Sequence, residues 1–248
     1  MPGNDAQCTR RRRALWPLAA LVVAGCAAAM RPPPPAAGEP VLPYPLFAAS
    51  DALMKSWRFI RIWGQSEWRL IADGDDVAIE PVVDGSSTAL ARWVQIDTET
   101  CPVVEWSWRV DRLPEGADLA VRATDDVAAS LVFAFGDPGA LSNPRPVPTL
   151  RYVWSTPANA AGSVIESPYF IGTLYSFVVR SGGAGEGWHT ERRNLREDYQ
   201  RAFGEAPPGP VEVMALFTDN DHLEAPLHSL YRAATLYCTE LPDEAFPS

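Results

Sequence analysis

The chain has 248 residues, of which 31 are acidic and 21 are basic, so its formal net charge at pH 7 is −10. A surface this acidic excludes nucleic acid as a partner, because phosphate backbones bind basic patches. It also excludes electrostatic docking on anionic lipids.

The first 25 residues predict a bacterial lipoprotein signal peptide. Four arginines at 10–13 precede an apolar stretch at 14–24. The stretch has about eleven residues, whereas crossing a bilayer takes roughly twenty, so it is typical of a secretion signal. It ends in Val-Ala-Gly-Cys at residues 23–26, which resembles a lipobox, so we expect lipidation at Cys26. The alternative is a plain signal peptide that is cut near Ala29.

The residues that follow the lipobox predict where the protein resides. Ala27 comes directly after Cys26, and such a residue is the default for sorting to the outer membrane in a Gram-negative cell. We therefore expect a protein anchored by its acyl chains on the periplasmic side of the outer membrane. Without residues 1–25 the chain keeps 17 basic and 30 acidic residues, which gives a net charge of −13.

The mature chain divides into a tether, one domain and a tail. Residues 26–45 begin with the lipidated cysteine and continue into a proline-rich run, which predicts an extended, semi-rigid tether. Residues 46–240 have the length of one domain with a sizeable core. Residues 241–248 are assigned to a tail.

From residue 57 onward the apolar side chains recur mostly at every second position, which predicts β-strands. Turn sequences such as Asp73-Gly74-Asp75 separate the segments. Many short strands with turns between them predict a mainly β fold, an antiparallel β-sandwich of jelly-roll type. The predicted strands cover residues 57–63, 68–72, 77–83, 89–96, 103–110, 128–135, 150–155, 175–180, 189–193, 212–218 and 230–237.

One helix is predicted near 195–203. Asn194 can cap its first turn and Gly204 can end it. Every fourth residue of the segment, counted from Leu195, is apolar or aromatic, so one face can pack on a sheet. A shorter helical turn is expected at 50–55.

The strand at 103–110 contains two tryptophans. Trp106 and Trp108 alternate with polar residues, so we expect both rings on the core face of a strand. The opposite face, which carries Glu105 and Arg109, either meets solvent or lines a groove.

The cysteines predict a disulfide bond. Cys8 lies in the signal peptide and Cys26 receives lipid, so Cys101 and Cys238 remain in an oxidising compartment. We predict a bond between these two. Two buried free thiols are the alternative.

Paired aspartates are the first candidates for chemistry. Asp125 and Asp126 precede a predicted strand, and Asp219 and Asp221 follow another. Glycoside hydrolysis needs two carboxyl groups at a defined separation. These aspartates are therefore candidates for catalysis, for ligand contact, or for ordinary turns, and we rank the structural role first.

Metal binding is a second interpretation of the same aspartates. Calcium takes several oxygen ligands, and the segment 219–224 offers them, but it lacks the glycine and the spacing of an EF-hand loop. Zinc would need a tight ligand pair, and His222 and His228 do not supply one. We therefore assign no metal ligand and no cofactor, and a structural calcium ion remains the alternative.

A polar cluster is predicted where the strand at 189–193 enters the helix. Arg192 and Arg193 need carboxylate partners if they are buried, because an unpaired buried charge is costly. We expect the paired aspartates to serve as those partners. The cluster either fixes the helix to the sheet or forms a ligand site. Its candidate residues are Asp125, Asp126, Trp154, Trp188, Glu191, Arg192, Asn194, Asp219 and Asp221.

The order of these motifs resembles an uncharacterised bacterial family, the domain of unknown function 3047. The resemblance runs from about residue 57 to residue 237. It implies an exported single domain, similar in fold to carbohydrate-binding modules, and it implies no established activity. It is carried by Trp106-x-Trp108, Asp125-Asp126, Tyr152-x-Trp154, Trp188-x-x-Glu191-Arg192-x-Asn194, Asp198-Tyr199, Phe203-Gly204 and Thr218-Asp219-x-Asp221.

Two positions depart from the family pattern. The family usually has an arginine shortly after its paired aspartates, and this chain has Ser130 there. The family usually continues Asp-x-Asp with Asn-Thr, and this chain has His222 and Leu223. A polar site common to the family is therefore expected to be altered here.

The leading functional hypothesis is a non-catalytic binding module for a glycan or another envelope component. Its candidate rings are Tyr152, Trp154, Tyr169 and Trp188. A carbohydrate hydrolase or lyase is the second hypothesis. A structural envelope lipoprotein with a protein partner is the third, and a broad exposed apolar patch would favour it.

Overall fold

The structure is a computed structural model that describes residues 40–140 and 145–242. The predicted signal peptide, the lipidation site at Cys26, most of the tether and residues 243–248 of the tail lie outside the described residues. Within the described residues, no helix has the length and apolar character needed to cross a membrane.

The described chain is mainly β, which confirms the predicted class. Two short helices, α1 (Asp51–Ser56) and α2 (Leu195–Phe203), accompany the strands. The strands are β1 (Leu42–Ala48), β2 (Arg58–Asp73), β3 (Asp76–Ile96), β4 (Val103–Arg112), β5 (Val127–Phe135), β6 (Thr149–Ser155), β7 (Val164–Glu166), β8 (Leu174–Ser181), β9 (His189–Asn194), β10 (Val211–Asp219) and β11 (His228–Cys238).

The strands form one curled sheet in the order β7-β8-β6-β5-β10-β3-β11-β4-β9, while β1 pairs with β11 and β2 with β3. β6 and β8 are parallel and the other pairs are antiparallel, so the sheet is mixed. Trp106 on β4 stacks on Tyr152 of β6 with ring centroids 5.2 Å apart. The two halves of the sheet therefore face each other across the core, as in a sandwich, although hydrogen bonds connect them into one sheet.

β2 and β3 are longer than predicted, because the breaks expected at residues 64–67 and 84–88 are irregularities within continuous strands. The register of the pair shifts near Gly64, which has a φ of +65°. Gly85 has a φ of +53°. A Cβ on Gly64 would lie 2.6 Å from the carbonyl oxygen of Gly85, so a side chain does not fit there. The hairpin bends at this point and continues, so each pair of predicted strands is one strand.

β1 begins at Leu42, inside the segment assigned to the tether. It pairs with β11 from Leu42 to Ala48 in spite of Pro43 and Pro45. Proline lacks an N–H donor and is accepted in edge strands, which is why a proline-rich sequence forms a strand here. The final residues of the predicted tether are therefore part of the sheet.

The helix predicted at 195–203 is confirmed. The Asn194 side chain accepts hydrogen bonds from the backbone N–H groups of Arg196 and Glu197, and Gly204 ends the helix with a φ of 78°. Leu195 and Tyr199 are buried, and the Tyr199 ring packs against Phe135 of β5. The apolar face of α2 thus covers one end of the core.

A disulfide bond joins Cys101, between β3 and β4, to Cys238 at the end of β11. Both cysteines are buried.

Candidate functional site

The two pairs of aspartates meet at one end of the sheet. Asp125 and Asp126 precede β5, and Asp219 is the last residue of β10. β5 and β10 are antiparallel, and Asp219 lies opposite Val127. The start of one strand therefore lies beside the end of the other, which brings the aspartates together.

These carboxylates and one histidine form a compact group, which we call the acidic cluster: Asp125, Asp126, Asp219, Asp221 and His222. Four of these residues each offer one atom that could bind a metal ion, and the four atoms all lie within 4.8 Å of one another. The residues are Asp126, Asp219, Asp221 and His222. His222 Nδ1 is 3.0 Å from Asp221 Oδ1, 3.5 Å from Asp125 Oδ1 and 3.5 Å from Asp126 Oδ1. The histidine ring therefore faces three carboxylates.

The loop after β10 is held in place by Asp126 and Asn220. Asp126 accepts hydrogen bonds from the backbone N–H groups of His222 and Leu223, at 3.2 and 2.9 Å. Asn220 accepts from the backbone N–H of Ser86 and donates to the carbonyl of Ala225. The sharp polar turn after β10 is thus a fixed structure that presents Asp221 and His222.

Burial controls the protonation of two of the carboxylates. Asp219 is 7% exposed, and burial raises its pKa well above the usual range, with the charges of Asp221 and Asp126 adding to the effect. Burial also raises the pKa of Asp125, while Arg151 and His222 act in the opposite direction. Both groups therefore bind a proton more readily than an aspartate that is open to water.

Arg151 on β6 places a positive charge beside the cluster. This residue was not among the site residues predicted from the sequence. Its Nε donates to Ser176 Oγ at 2.8 Å, and Nη2 is buried without a hydrogen-bond partner. Burial lowers the pKa of Arg151, whereas Asp219 and Asp125 raise it. The sequence contained one indication of its position. Arg151 stands between Leu150 and Tyr152 on a strand, so its side chain lies on the face opposite the core.

A hydrogen-bond chain orients the His222 ring. The hydroxyl of Tyr169 donates to the carbonyl of Arg122 at 2.9 Å, and its oxygen lies 2.5 Å from His222 Nε2. With that proton on Arg122, the hydroxyl oxygen can accept a hydrogen bond from His222 Nε2–H. In a neutral ring protonated at Nε2, the Nδ1 lone pair would face the carboxylates.

The other predicted site residues lie elsewhere. Glu191 pairs with Arg180 and accepts a hydrogen bond from Trp108 Nε1 at 3.4 Å. Trp154 is fully buried and donates to the carbonyl of Gly182.

Trp188 also lies outside the acidic cluster. Its indole N–H donates to Asp73 at 2.7 Å. Its ring lies 4.1 Å from the guanidinium of Arg232 and 5.6 Å from that of Arg109. The predicted site is therefore divided into separate polar groups.

The expected pairing of the β9 arginines with these aspartates is wrong. Arg192 lies opposite Glu105 in the β4–β9 pair and contacts it at 3.3 Å. Arg193 pairs with Asp198, one turn into α2, with Nε 2.9 Å from Oδ2. Four steps of the strand order separate β9 from β10, so closer carboxylates become the partners.

A comparison with models of protein families shows the family to which this chain belongs. A family described as proteins of unknown function, DUF3047, matches residues 54–234. The chain belongs to the DUF3047 family. No curated protein sequence matches this DUF3047 protein.

Solved structures resemble the DUF3047 domain only distantly. The carbohydrate-binding module TmCBM27, described for specific mannan recognition, has 13% identity and a TM-score of 0.34, covering 80% of this chain and 99% of that chain. The K2 cleaved adhesin domain of Lys-gingipain has 10% identity and a TM-score of 0.39, covering 79% and 99%.

A third structure is much longer than the matched region. The enzymatically active domain of tailspike protein 4 from bacteriophage CBA120 has 8% identity and a TM-score of 0.38. The match covers 74% of this chain and 20% of that chain. What each of these proteins binds or cleaves is a property of that protein.

Ser130 is a structural residue in this DUF3047 domain. It is fully buried on β5. Its hydroxyl donates to the carbonyl of Phe217, and its backbone N–H donates to the hydroxyl of Tyr231. An uncharged hydroxyl thus occupies the position where the family resemblance leads one to expect arginine.

Asn194 acts as a helix cap, and its removal should have a measurable cost. Asn194→Ala is expected to lower the free energy of unfolding by about 1 kcal/mol, because two backbone N–H groups of α2 lose their acceptor. Denaturant unfolding measures the change. Asn194→Asp keeps an acceptor and should stay near wild type, and an equal loss in both variants would contradict the capping role.

Proposed function

We propose that this DUF3047 domain is an exported, non-catalytic binding module whose ligand is a glycan or another hydroxyl-rich envelope component. The proposal rests on one observation, the convergence of four carboxylates and His222 beside the partly exposed ring of Tyr169. Carboxylates accept hydrogen bonds from hydroxyl groups. Sites for small polar ligands combine such groups with an apolar surface.

Tyr169 takes the role that the sequence assigned to other rings. Tyr152 and Trp154 are fully buried, so neither offers a face to a ligand. Tyr169 is 38% exposed, and its ring centroid is 5.7 Å from that of His222. Among the four candidate rings, Tyr169 is the one that adjoins the acidic cluster.

The proposal includes an envelope location. The lipobox-like sequence at residues 23–26 and the proline-rich segment after it support a protein that is lipid-anchored at Cys26 on the periplasmic side of the outer membrane. The negative charge of the mature chain supports ligands other than nucleic acid.

The burial of the carboxylates favours binding over hydrolysis. Glycosidases place two carboxyl groups on either side of the bond that is cleaved. Asp126 and Asp219 are 1% and 7% exposed, which leaves little room for a scissile bond between them.

A protein partner is the second candidate, and the edge strand β2 favours it. Within the described residues, β2 pairs only with β3. Its exposed apolar side chains include Phe59, Ile62 and Trp63 at 43%, 56% and 64%. An apolar strip on an open sheet edge is typical of a surface that meets another protein.

Binding of envelope polysaccharides to the mature protein tests the first candidate. Tyr169→Ala and Asp221→Asn are expected to weaken binding at least tenfold, because one removes the ring face and the other a carboxylate at the site. An array of envelope polysaccharides followed by calorimetry on the best ligand measures the effect.

Trp63→Ala is the matched control, since it removes a more exposed ring that lies on β2. Its glycan affinity should equal that of wild type. If no envelope polysaccharide binds, the glycan proposal fails. If binding is lost only in Trp63→Ala, β2 is the recognition surface. Release of reducing ends from a bound polysaccharide would indicate an enzyme.

A further inference from the structure

We infer that the acidic cluster binds one divalent metal ion, of the Zn²⁺ or Mn²⁺ type, through Asp126, Asp219, Asp221 and His222. The inference rests on the proposed binding role of the cluster and adds a metal ion to its site.

The spacing of the four side chains is close to that of a coordination shell. Their ligand atoms lie within 4.8 Å of one another. In the tetrahedral geometry of zinc, ligand atoms about 2.0–2.2 Å from the ion lie roughly 3.3–3.6 Å from one another. The four side chains would therefore draw together by up to about 1.5 Å to surround one ion.

Buried oxygens without partners supply an independent reason for a ligand. Asp219 is 7% exposed, and its Oδ1 has no hydrogen-bond partner within the described residues. Asp221 Oδ1 is also buried and has no hydrogen-bond partner within the described residues. His222 Nδ1 lies 3.0 Å from it, but this contact does not meet the geometric criteria of a hydrogen bond. Buried acceptors in folded proteins nearly always have a partner. A metal ion between these oxygens would serve both.

The charge of the cluster also favours a cation. Four aspartates converge there, and Arg151 is the arginine whose charge acts on Asp125 and Asp219. Arg151 forms no ion pair within 4.0 Å in the described part of the chain. Carboxylates at this spacing repel one another when ionised, and a divalent ion bound between them would offset that repulsion.

His222 indicates which class of ion the site prefers. The Tyr169 hydroxyl lies 2.5 Å from His222 Nε2 and can accept its N–H, which would leave Nδ1, on the side of the carboxylates, available to a metal ion. Metal-bound histidines commonly have their other nitrogen fixed in this way. Calcium and magnesium prefer all-oxygen sites, while an imidazole among carboxylates favours first-row ions such as zinc. The imidazole therefore points to Zn²⁺ over Ca²⁺, and the three carboxylates also suit Mn²⁺.

Calorimetric titration of the metal-stripped mature protein tests the inference without any glycan. Zn²⁺ or Mn²⁺ should bind at one site per chain, and Ca²⁺ should bind at least tenfold more weakly. Asp221→Asn and His222→Gln should each weaken binding at least tenfold. Tyr169→Phe removes the oxygen that orients His222 and should weaken it about 10- to 100-fold.

The chain contains a matched control in His228. Its two ring nitrogens lie 2.9 Å from Asp111 and 2.9 Å from Glu80, so both are already engaged. His228→Gln removes a histidine between carboxylates and should leave metal affinity unchanged. Thermal unfolding of every variant without metal shows whether it folds. Nitrogen modulation of the electron spin echo of the Mn²⁺-loaded protein, recorded by pulsed electron paramagnetic resonance, reports imidazole ligation directly.

The possible results distinguish a failure of the metal site from a failure of the proposed glycan binding. The inference is overturned if the folded protein binds none of these ions. It is also overturned if Ca²⁺ binds as tightly as Zn²⁺ and His222→Gln has no effect, since an all-oxygen site would then be present. Metal binding without polysaccharide binding would refute the glycan proposal alone. Polysaccharide binding that is unchanged by a chelator, in a protein that binds no metal, would refute the metal site alone.

Discussion

Removing the disulfide between Cys101 and Cys238 should lower the free energy of unfolding by about 5 kcal/mol in the chain-entropy model. The two cysteines are 137 residues apart, so the bond restricts a long loop in the unfolded chain. Because most of the strands lie between the two cysteines, the effect applies to nearly the whole domain.

Equilibrium unfolding in denaturant, with and without a reductant, measures this effect. The wild-type protein should be destabilised by the reductant, and the double variant Cys101→Ala/Cys238→Ala should be equally unstable in both conditions. The double variant separates loss of the bond from any other action of the reductant. A change of less than 1 kcal/mol in the double variant would show that the bond adds little.

Trp106→Ala should cost about 3–5 kcal/mol of unfolding free energy, because it leaves a large cavity between the two halves of the sheet. Trp106 is 2% exposed. It stacks on Tyr152 and makes an edge contact with Trp108, with centroids 5.2 and 5.3 Å away. The facing strands at this point are joined by side chains alone, so the ring is central to the core.

Two controls make the Trp106 prediction specific. Trp106→Phe keeps much of the buried ring and removes an indole N–H that has no hydrogen-bond partner, so its cost should be clearly smaller. Trp63→Ala truncates a tryptophan that is 64% exposed and should change stability by less than about 0.5 kcal/mol. Denaturant midpoints of the three variants provide the comparison. Equal losses at positions 63 and 106 would contradict the assignment of Trp106 to the core.

Features that depend on neighbouring residues in the chain could be predicted from the sequence. Helix α2 is one example, because Asn194 and Gly204 act on the backbone within one turn of the helix ends. The core face of β4 is another, because alternation along a strand places Trp106 and Trp108 on the same side. The mainly β class follows from the same local alternation.

The residues of the acidic cluster were predicted in part. Asp125, Asp126, Asp219 and Asp221 stood out because polar runs at strand ends interrupt an apolar pattern. Their gathering at one place depends on the pairing of β5 with β10. Arg151 stayed hidden because a single arginine within a strand gives no indication of which distant acids it will approach.

The sequence alone determined the strand-rich class, helix α2, the buried tryptophan pair and which acidic residues end the strands, since each is a property of adjacent residues. The tertiary structure decided the order of the strands, the parallel pairing of β6 with β8, the joining of two predicted strands in β2, and the partners of Arg192 and Arg193. Partners across a sheet are set by contacts between segments far apart in the chain. Alternation specifies only which face of a strand a side chain occupies.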